Sequence, residues 1–148
     1  MTEKHKVRIA VFVILEKGDE ILLLRRANTG YADGQYQMPS GHIEVDEYPT
    51  EAAIREAKEE VGVDIETDDI KLVHTSYRIS PDNHEYDYID FFFKTNKWSN
   101  EPINAEPETC DEIVWAPIKN LPSNTVPVIK EVIEYIYKGI SFSEIGRE

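Results

Sequence analysis

The chain has 148 residues, 41% of them hydrophobic and 30% charged, so it has enough apolar side chains for a packed core and does not have the composition of a disordered protein. The 29 acidic and 16 basic side chains leave a formal net charge of −13, which argues against a binder of duplex DNA or RNA because such a surface repels the phosphate backbone. The longest apolar run, residues 9–15, is much shorter than the roughly 20 residues that a membrane-spanning helix needs, and no cleavage site of a signal peptide follows it.

Cys110 is the only cysteine of the chain, so no intrachain disulfide can form. The sequence shows no sign of export, and we therefore expect a cytoplasmic protein in a reducing compartment. No histidine lies near Cys110 in the sequence, and we interpret this residue as an ordinary half-buried thiol rather than a nucleophile.

The N-terminal part of the chain predicts a β-hairpin followed by a long loop. Two β-rich segments, 7–16 and 21–26, flank the turn residues Gly18 and Asp19. Segment 27–39 is rich in Gly, Asn, Asp and Pro and predicts a loop. Loops of this length often carry function.

Segment 50–61 is the clearest predicted helix, because its apolar residues recur at helical spacing. Pro49 suits the first helical position, and Gly62 stands where a helix ends. Tyr48 would then be the N-cap, although tyrosine is a poor capping residue.

The rest of the chain mixes strands with one more helix. The predicted elements are strands at 70–79 and 86–97 joined by a turn at 80–85, a polar loop at 100–111, a strand at 112–118 and a helix at 126–138. Strands interleaved with helices predict an α/β or α+β fold in which helices pack on a sheet.

Three carboxylates of the predicted helix lie on one stripe of its surface. Glu56, Glu59 and Glu60 are spaced i, i+3 and i+4, beside an apolar face that can pack on a sheet. Like charges at this spacing repel one another, and the helix C-terminus disfavours anions. A bound divalent cation such as Mg²⁺ or Mn²⁺ would turn this unfavourable repulsion among the carboxylates into a favourable interaction. The alternative interpretation is an acidic face that contacts only solvent.

The stripe is part of a longer pattern that resembles the signature of the Nudix hydrolase family. The pattern is Gly-x5-Glu-x7-Arg-Glu-apolar-x-Glu-Glu-x-Gly-apolar, and residues 41–63 match every fixed position of it. The matching residues are Gly41, Glu47, Arg55, Glu56, Glu59, Glu60 and Gly62.

The resemblance implies a Nudix-type α/β/α sandwich with a mixed β-sheet, and we expect residues 1–148 to form one such domain. It also implies a pyrophosphohydrolase that acts on a nucleoside diphosphate linked to another group. In the family, box glutamates bind divalent metal ions, and Glu56, Glu59 and Glu60 match them. A backbone carbonyl beside the first glycine often binds metal too, and here it would belong to Ser40, where most relatives have glycine.

Other box residues are implied to have supporting or catalytic roles. Arg55 and Glu47 match a pair that bridges the box loop to the helix, and a guanidinium fork on a carboxylate is suited to fix such a loop. The general base is left open among Glu56, Glu59 and Glu106, because members of the family differ.

The flanking segments are similar to those of MutT-type nucleoside triphosphate pyrophosphohydrolases. Arg25 or Arg26, at the end of the second strand, matches an arginine that holds phosphate. Glu106 matches a metal-binding glutamate outside the box, with Glu108 as the second choice. Asn124 matches an asparagine that contacts a purine, but it equally suits the cap of the following helix.

We therefore expect Mg²⁺-dependent hydrolysis of a nucleoside triphosphate to a monophosphate and pyrophosphate. The expected partner is a small nucleotide, with no duplex nucleic acid and no membrane. The alternatives are the same chemistry on ADP-ribose, a nucleotide sugar, a dinucleoside polyphosphate or an RNA cap, and a non-catalytic nucleotide-binding regulator.

Overall fold

The long strand β1 (Val7–Lys17) is the centre of the fold because three other strands pair with it. The computed structural model describes residues 3–80 and 86–146. β2 (Glu20–Arg26) continues β1 as a hairpin, β4 (Ser40–His42) pairs antiparallel with its middle, and β6 (Asp87–Thr95) runs parallel to it from Val7 to Leu15. The predicted hairpin is confirmed.

The remaining strands extend an eight-stranded mixed sheet in both directions. On one side, β5 (Lys71–Arg78) pairs antiparallel with β6, and β8 (Phe142–Ile145) pairs parallel with β5. On the other side, β3 (Tyr36–Gln37) and β7 (Cys110–Pro117) both pair antiparallel with β2.

The side chains of β1 are buried on both faces of the sheet, and each face is covered by one helix. Odd-numbered positions from Val11 to Leu15 pack with α1 (Pro49–Val61), whereas even-numbered positions from Ala10 to Ile14 pack with α2 (Pro127–Tyr137). This alternation follows from the two-residue period of a strand. It confirms the predicted α/β/α sandwich.

The two ends of α1 agree with the sequence prediction. The N-cap residue is Tyr48, whose side chain is not of a type that commonly caps helices. Instead the Glu51 carboxylate accepts a hydrogen bond of 2.8 Å from the Tyr48 backbone N–H. At the other end Gly62 adopts a left-handed backbone with φ of 73°, which is the usual glycine helix stop.

Three short strands were not predicted. β3 lies within the predicted loop 27–39, β4 falls between that loop and the predicted helix, and β8 follows the last predicted element. Segments of two to four residues have too little hydrophobic periodicity to be recognised, and their pairing with longer strands defines them. Of the predicted turn at 80–85, residues 81–85 lie outside the described residues.

The predictions on Cys110 and on membrane-spanning segments can also be compared with the structure. Cys110 is buried and opens β7 instead of closing a loop, and burial raises the pKa of its thiol. In the described ranges 3–80 and 86–146, neither helix has the length and hydropathy required to cross a bilayer.

Candidate active site

Arg55, on the exposed side of α1, ties the helix to the preceding loop. Its Nε and Nη2 donate to the two carboxylate oxygens of Glu47 at 2.7 and 3.0 Å, and Nη2 also donates to the His42 carbonyl at 3.1 Å. Glu47 in turn accepts from the Glu44 backbone N–H at 2.9 Å. The guanidinium lowers the pKa of Glu47, so this carboxylate stays charged at neutral pH.

The remaining nitrogen of the same guanidinium reaches two other box carboxylates. Arg55 Nη1 donates to Glu56 at 2.8 Å and lies 3.3 Å from a Glu59 oxygen. The Glu56 side chain is only 12% exposed, whereas Glu59 is half exposed. One guanidinium thus contacts three carboxylates of the box.

Glu60 contacts Ser40, the residue that precedes the box. Its Oε2 accepts a hydrogen bond of 2.8 Å from the Ser40 backbone N–H. Burial raises the pKa of Glu60 well above its ordinary value, and the negative charges of Glu56 and Glu106 add to this shift. Burial is also the main cause that raises the pKa of Glu56.

Gly41 is a glycine because Glu56 occupies the space beside it. A Cβ atom built at residue 41 would overlap the Glu56 carboxylate. The first glycine of the box therefore allows a close approach between the loop and the acidic stripe.

The donor set fits a hard divalent cation, although the side chains do not yet converge on one point. Within the described ranges, no group of three His, Cys, Asp or Glu side chains is arranged as a ready-made metal site. Instead Arg55 and the Ser40 N–H satisfy the carboxylates, and burial raises the pKa values of Glu56 and Glu60. A cation would favour the ionised forms of both, which is why the residues fit it.

The loop that follows β6 brings Glu106 toward this group. Backbone hydrogen bonds join Ile103 N–H to the Val61 carbonyl at 3.0 Å and Ala105 N–H to the Glu60 carbonyl at 3.1 Å. The charge of Glu106 acts on both Glu56 and Glu60. Glu108 is exposed, and its backbone carbonyl accepts a hydrogen bond from Asn28.

A cavity of about 880 Å³ opens beside Ser40 and Gly41, between the sheet and the N-terminal end of α2. Its size suits a small-molecule ligand. Three arginines line it, and each lies over a tyrosine ring. The pairs are Arg8 with Tyr86, Arg26 with Tyr31, and Arg78 with Tyr88.

Most of these cavity residues were missed in the sequence. Arg8, Tyr88 and Arg78 lie on three strands in register, so only the pairing of the strands brings them together. Arg8, Ala10 and Phe12 are two residues apart in β1 and therefore lie on the same face of the strand. This spacing is a weak sequence signal for the position of Arg8.

The structure separates the predicted substrate residues. Arg26 lines the cavity, where its Nε donates to the Tyr31 carbonyl at 2.8 Å. Arg25 does not line this cavity and forms ion pairs with Asp111 at 2.7 Å and Glu112 at 3.0 Å.

Asn124 does not line the cavity that opens beside the box. It lies in a separate surface depression. Its Nδ2 donates to the Gly34 carbonyl at 2.9 Å, so it anchors the loop before β3. It does not cap α2, whose N-cap is Val126.

Known proteins of similar sequence and structure match most of the chain. An 8-oxo-dGTP diphosphatase from Proteus vulgaris is 32% identical over 68% of this chain and 86% of the relative. An NAD-capped RNA hydrolase, NudC, from Stutzerimonas stutzeri is 26% identical over 97% of this chain and 49% of the relative. The crystal structure of a MutT NUDIX hydrolase from Burkholderia pseudomallei superposes with a TM-score of 0.79, at 22% identity, over 87% of this chain and 97% of that one.

The sequence profile of the NUDIX domain matches residues 4–136, which include the whole acidic helix and the cavity. This match and the full set of box residues make the chain a member of the Nudix family, whose members hydrolyse pyrophosphate bonds.

Proposed function

We propose that this Nudix hydrolase is a Mg²⁺-dependent nucleoside triphosphate pyrophosphohydrolase that releases a monophosphate and pyrophosphate and prefers purines. The observation that carries the proposal is the cavity of about 880 Å³, which opens directly beside Ser40 and the first box residue, Gly41. Arg26 and several aromatic rings line it, and such groups suit phosphate and a nucleobase.

The extent of similarity supports the same substrate class. The chain spans 86% of the 8-oxo-dGTP diphosphatase but 49% of the NAD-capped RNA hydrolase. The assignment of residues 1–148 to one domain and the cytoplasmic location stay predictions.

The box carboxylates are the proposed metal ligands. Glu56, Glu59 and Glu60 would bind Mg²⁺ or Mn²⁺ together with the Ser40 carbonyl and Glu106. A bound cation polarises phosphoryl oxygens and neutralises charge on the pyrophosphate leaving group.

The chain's own residues then have distinct tasks. Arg26 contacts a phosphate from the cavity side, and Arg55 with Glu47 keeps the box loop in place. Water attacks phosphorus as the bridging P–O bond between the α and β phosphates breaks, and a carboxylate accepts the proton of the water. The candidates for this base are Glu56, Glu59 and Glu106, and variants of each distinguish them.

The test is a panel of substrates with purified protein and Mg²⁺. We expect kcat/KM to be highest for a purine nucleoside triphosphate among dGTP, dATP, dCTP, dTTP and 8-oxo-dGTP. ADP-ribose and a dinucleoside polyphosphate serve as controls, and faster turnover of either would contradict the proposed substrate class. Absence of metal-dependent hydrolysis on every compound would favour a nucleotide-binding regulator instead.

A further inference from the structure

The cavity contains an ion pair that the metal chemistry does not use. Arg78 donates from Nε and Nη2 to the two carboxylate oxygens of Asp90 at 2.9 and 3.2 Å. The Asp90 side chain is 3% exposed and also accepts from the Ser76 hydroxyl at 3.2 Å. A buried acid and its paired arginine therefore lie at the wall of a ligand cavity, and the pairing and hydrogen bonds offset the cost of burying the charge of Asp90.

The pair fixes the orientation of the arginine. The Arg78 guanidinium lies 4.3 Å from the centre of the Tyr88 ring, and its side chain keeps 27% exposure. The pair with Asp90 uses only Nε and Nη2, so the N–H groups on Nη1 take no part in it. Two contacts that hold a planar group in place reduce the entropy it loses when it binds a ligand.

The register of the sheet gives the distance between this pair and the box. Ser40 pairs with Phe12 of β1, whereas Arg8, four residues earlier, pairs with Tyr88, which in turn pairs with Arg78. Four residues of a strand span about 13 Å. A nucleotide whose phosphates lie at Ser40 can thus place its base near Arg78.

The charge of the pair indicates what it recognises. Because the Asp90 carboxylate offsets the charge of Arg78, the pair presents oriented donors with little net charge. Such donors suit the carbonyl oxygen of a neutral base better than a phosphate. Arginine recognises guanine in this way, whereas adenine has an amino group at the same position and offers a donor.

We infer that Arg78 is a specificity residue whose guanidinium, oriented by Asp90 and Tyr88, donates a hydrogen bond to the 6-oxo group of a purine. Asp90 acts through Arg78 and is a positioning residue. This inference rests on the proposed function, because a nucleotide has to occupy the cavity.

The wild-type protein tests the inference through the base alone. We would measure kcat/KM for dGTP, dITP, dATP and 2,6-diaminopurine deoxyriboside triphosphate. The two 6-oxo compounds should exceed the two 6-amino compounds by at least about tenfold. If dITP and dATP are equal, or if the 2-amino group decides the order, the inference is wrong.

Variants then test the residue itself. Arg78→Met, which removes every donor of the side chain, should bring the dITP to dATP ratio to within about threefold, mostly through a loss on dITP. Arg8→Met is the matched control, because Arg8 lines the same cavity and lies over a tyrosine, and it should keep the wild-type ratio. An equal loss on both compounds in Arg78→Met would overturn the inference. If that variant does not fold, the wild-type series decides alone.

The experiment separates the two proposals. If triphosphates are hydrolysed without a 6-oxo preference, the proposed function stands and the role of Arg78 is wrong. If ADP-ribose is hydrolysed and no triphosphate is, both are wrong.

Discussion

The carboxylate of Glu56 lies in the space that a side chain at Gly41 would occupy. This contact joins the first residue of the box to its acidic stripe, across the boundary between β4 and α1. The glycine therefore has a steric role, because it lets the carboxylate approach the loop that carries Ser40.

We predict that Gly41→Ala leaves the fold intact and lowers kcat/KM by about 10–100-fold. The added Cβ meets the end of a flexible side chain, so Glu56 can move aside, but its carboxylate then leaves the site. Turnover and the thermal midpoint would be measured together. A folded Gly41→Ala protein with wild-type turnover would show that the position of Glu56 is unimportant.

Glu60→Gln should remove most activity, by about 100-fold or more, since even the mutation of a residue that only hydrogen-bonds to a metal ligand lowers activity by about 10–100-fold. The amide keeps the shape of the side chain and the contact with the Ser40 N–H, but it loses the charge that a cation requires. Turnover would be measured at saturating Mg²⁺. Near-wild-type activity in a folded variant would remove Glu60 from the site.

The same variant gives a pH-dependent result for stability. The raised pKa of Glu60 means that its ionisation in the folded protein costs stability, and this cost appears as the pH rises through the folded-state pKa. We expect metal-stripped Glu60→Gln to be at least as stable as the wild type at neutral pH. The difference should vanish below the ordinary carboxyl pKa of 4.5. Thermal melts in EDTA across this range would show it, and a variant less stable at every pH would contradict the desolvation argument.

Glu47→Gln should lower the free energy of unfolding by about 1–3 kcal/mol, because Arg55 loses a charged bidentate partner. The lowered pKa of Glu47 places this stabilisation above pH 4.5, and it is lost as the pH falls through the folded-state pKa. Glu44→Gln is the control in the same loop, since Glu44 is 67% exposed and lies 3.7 Å from Arg55. Denaturant unfolding at pH 7 should show a clear loss for Glu47→Gln and little for Glu44→Gln; equal losses would refute the clamp.

Asn124→Ala tests whether Asn124 contacts the base, as the resemblance implies, or only anchors the loop before β3. Because the side chain holds the Gly34 carbonyl, its loss should lower stability by about 0.5–1.5 kcal/mol without changing the preference among purines. Chemical denaturation and the dGTP to dATP ratio would be compared with the wild type. A changed ratio at unchanged stability would support the base contact that the resemblance implied.

The sequence predicted the helix with its acidic stripe well, because Pro49, the apolar spacing and Gly62 are local signals. The hairpin was predictable from the turn residues Gly18 and Asp19 between two β-rich segments. The sandwich was implied by the resemblance of the box, and the two buried faces of β1 agree with it. The cavity could not be predicted from the sequence, because Arg8, Tyr88 and Arg78 come from different strands that only their pairing brings together. Similarly, Arg25 and Arg26 are adjacent in sequence, and only the three-dimensional structure shows that Arg26 lines the cavity.

Metal-dependent cleavage between the α and β phosphates of a nucleoside triphosphate is tested most directly by ³¹P NMR. dGTP would be incubated with the protein and Mg²⁺, and with the folded Glu60→Gln variant as the control. We predict equal amounts of dGMP and pyrophosphate from the wild type, with loss of both signals in EDTA. Formation of dGDP and inorganic phosphate, or no reaction of dGTP under conditions that hydrolyse ADP-ribose, would contradict the account.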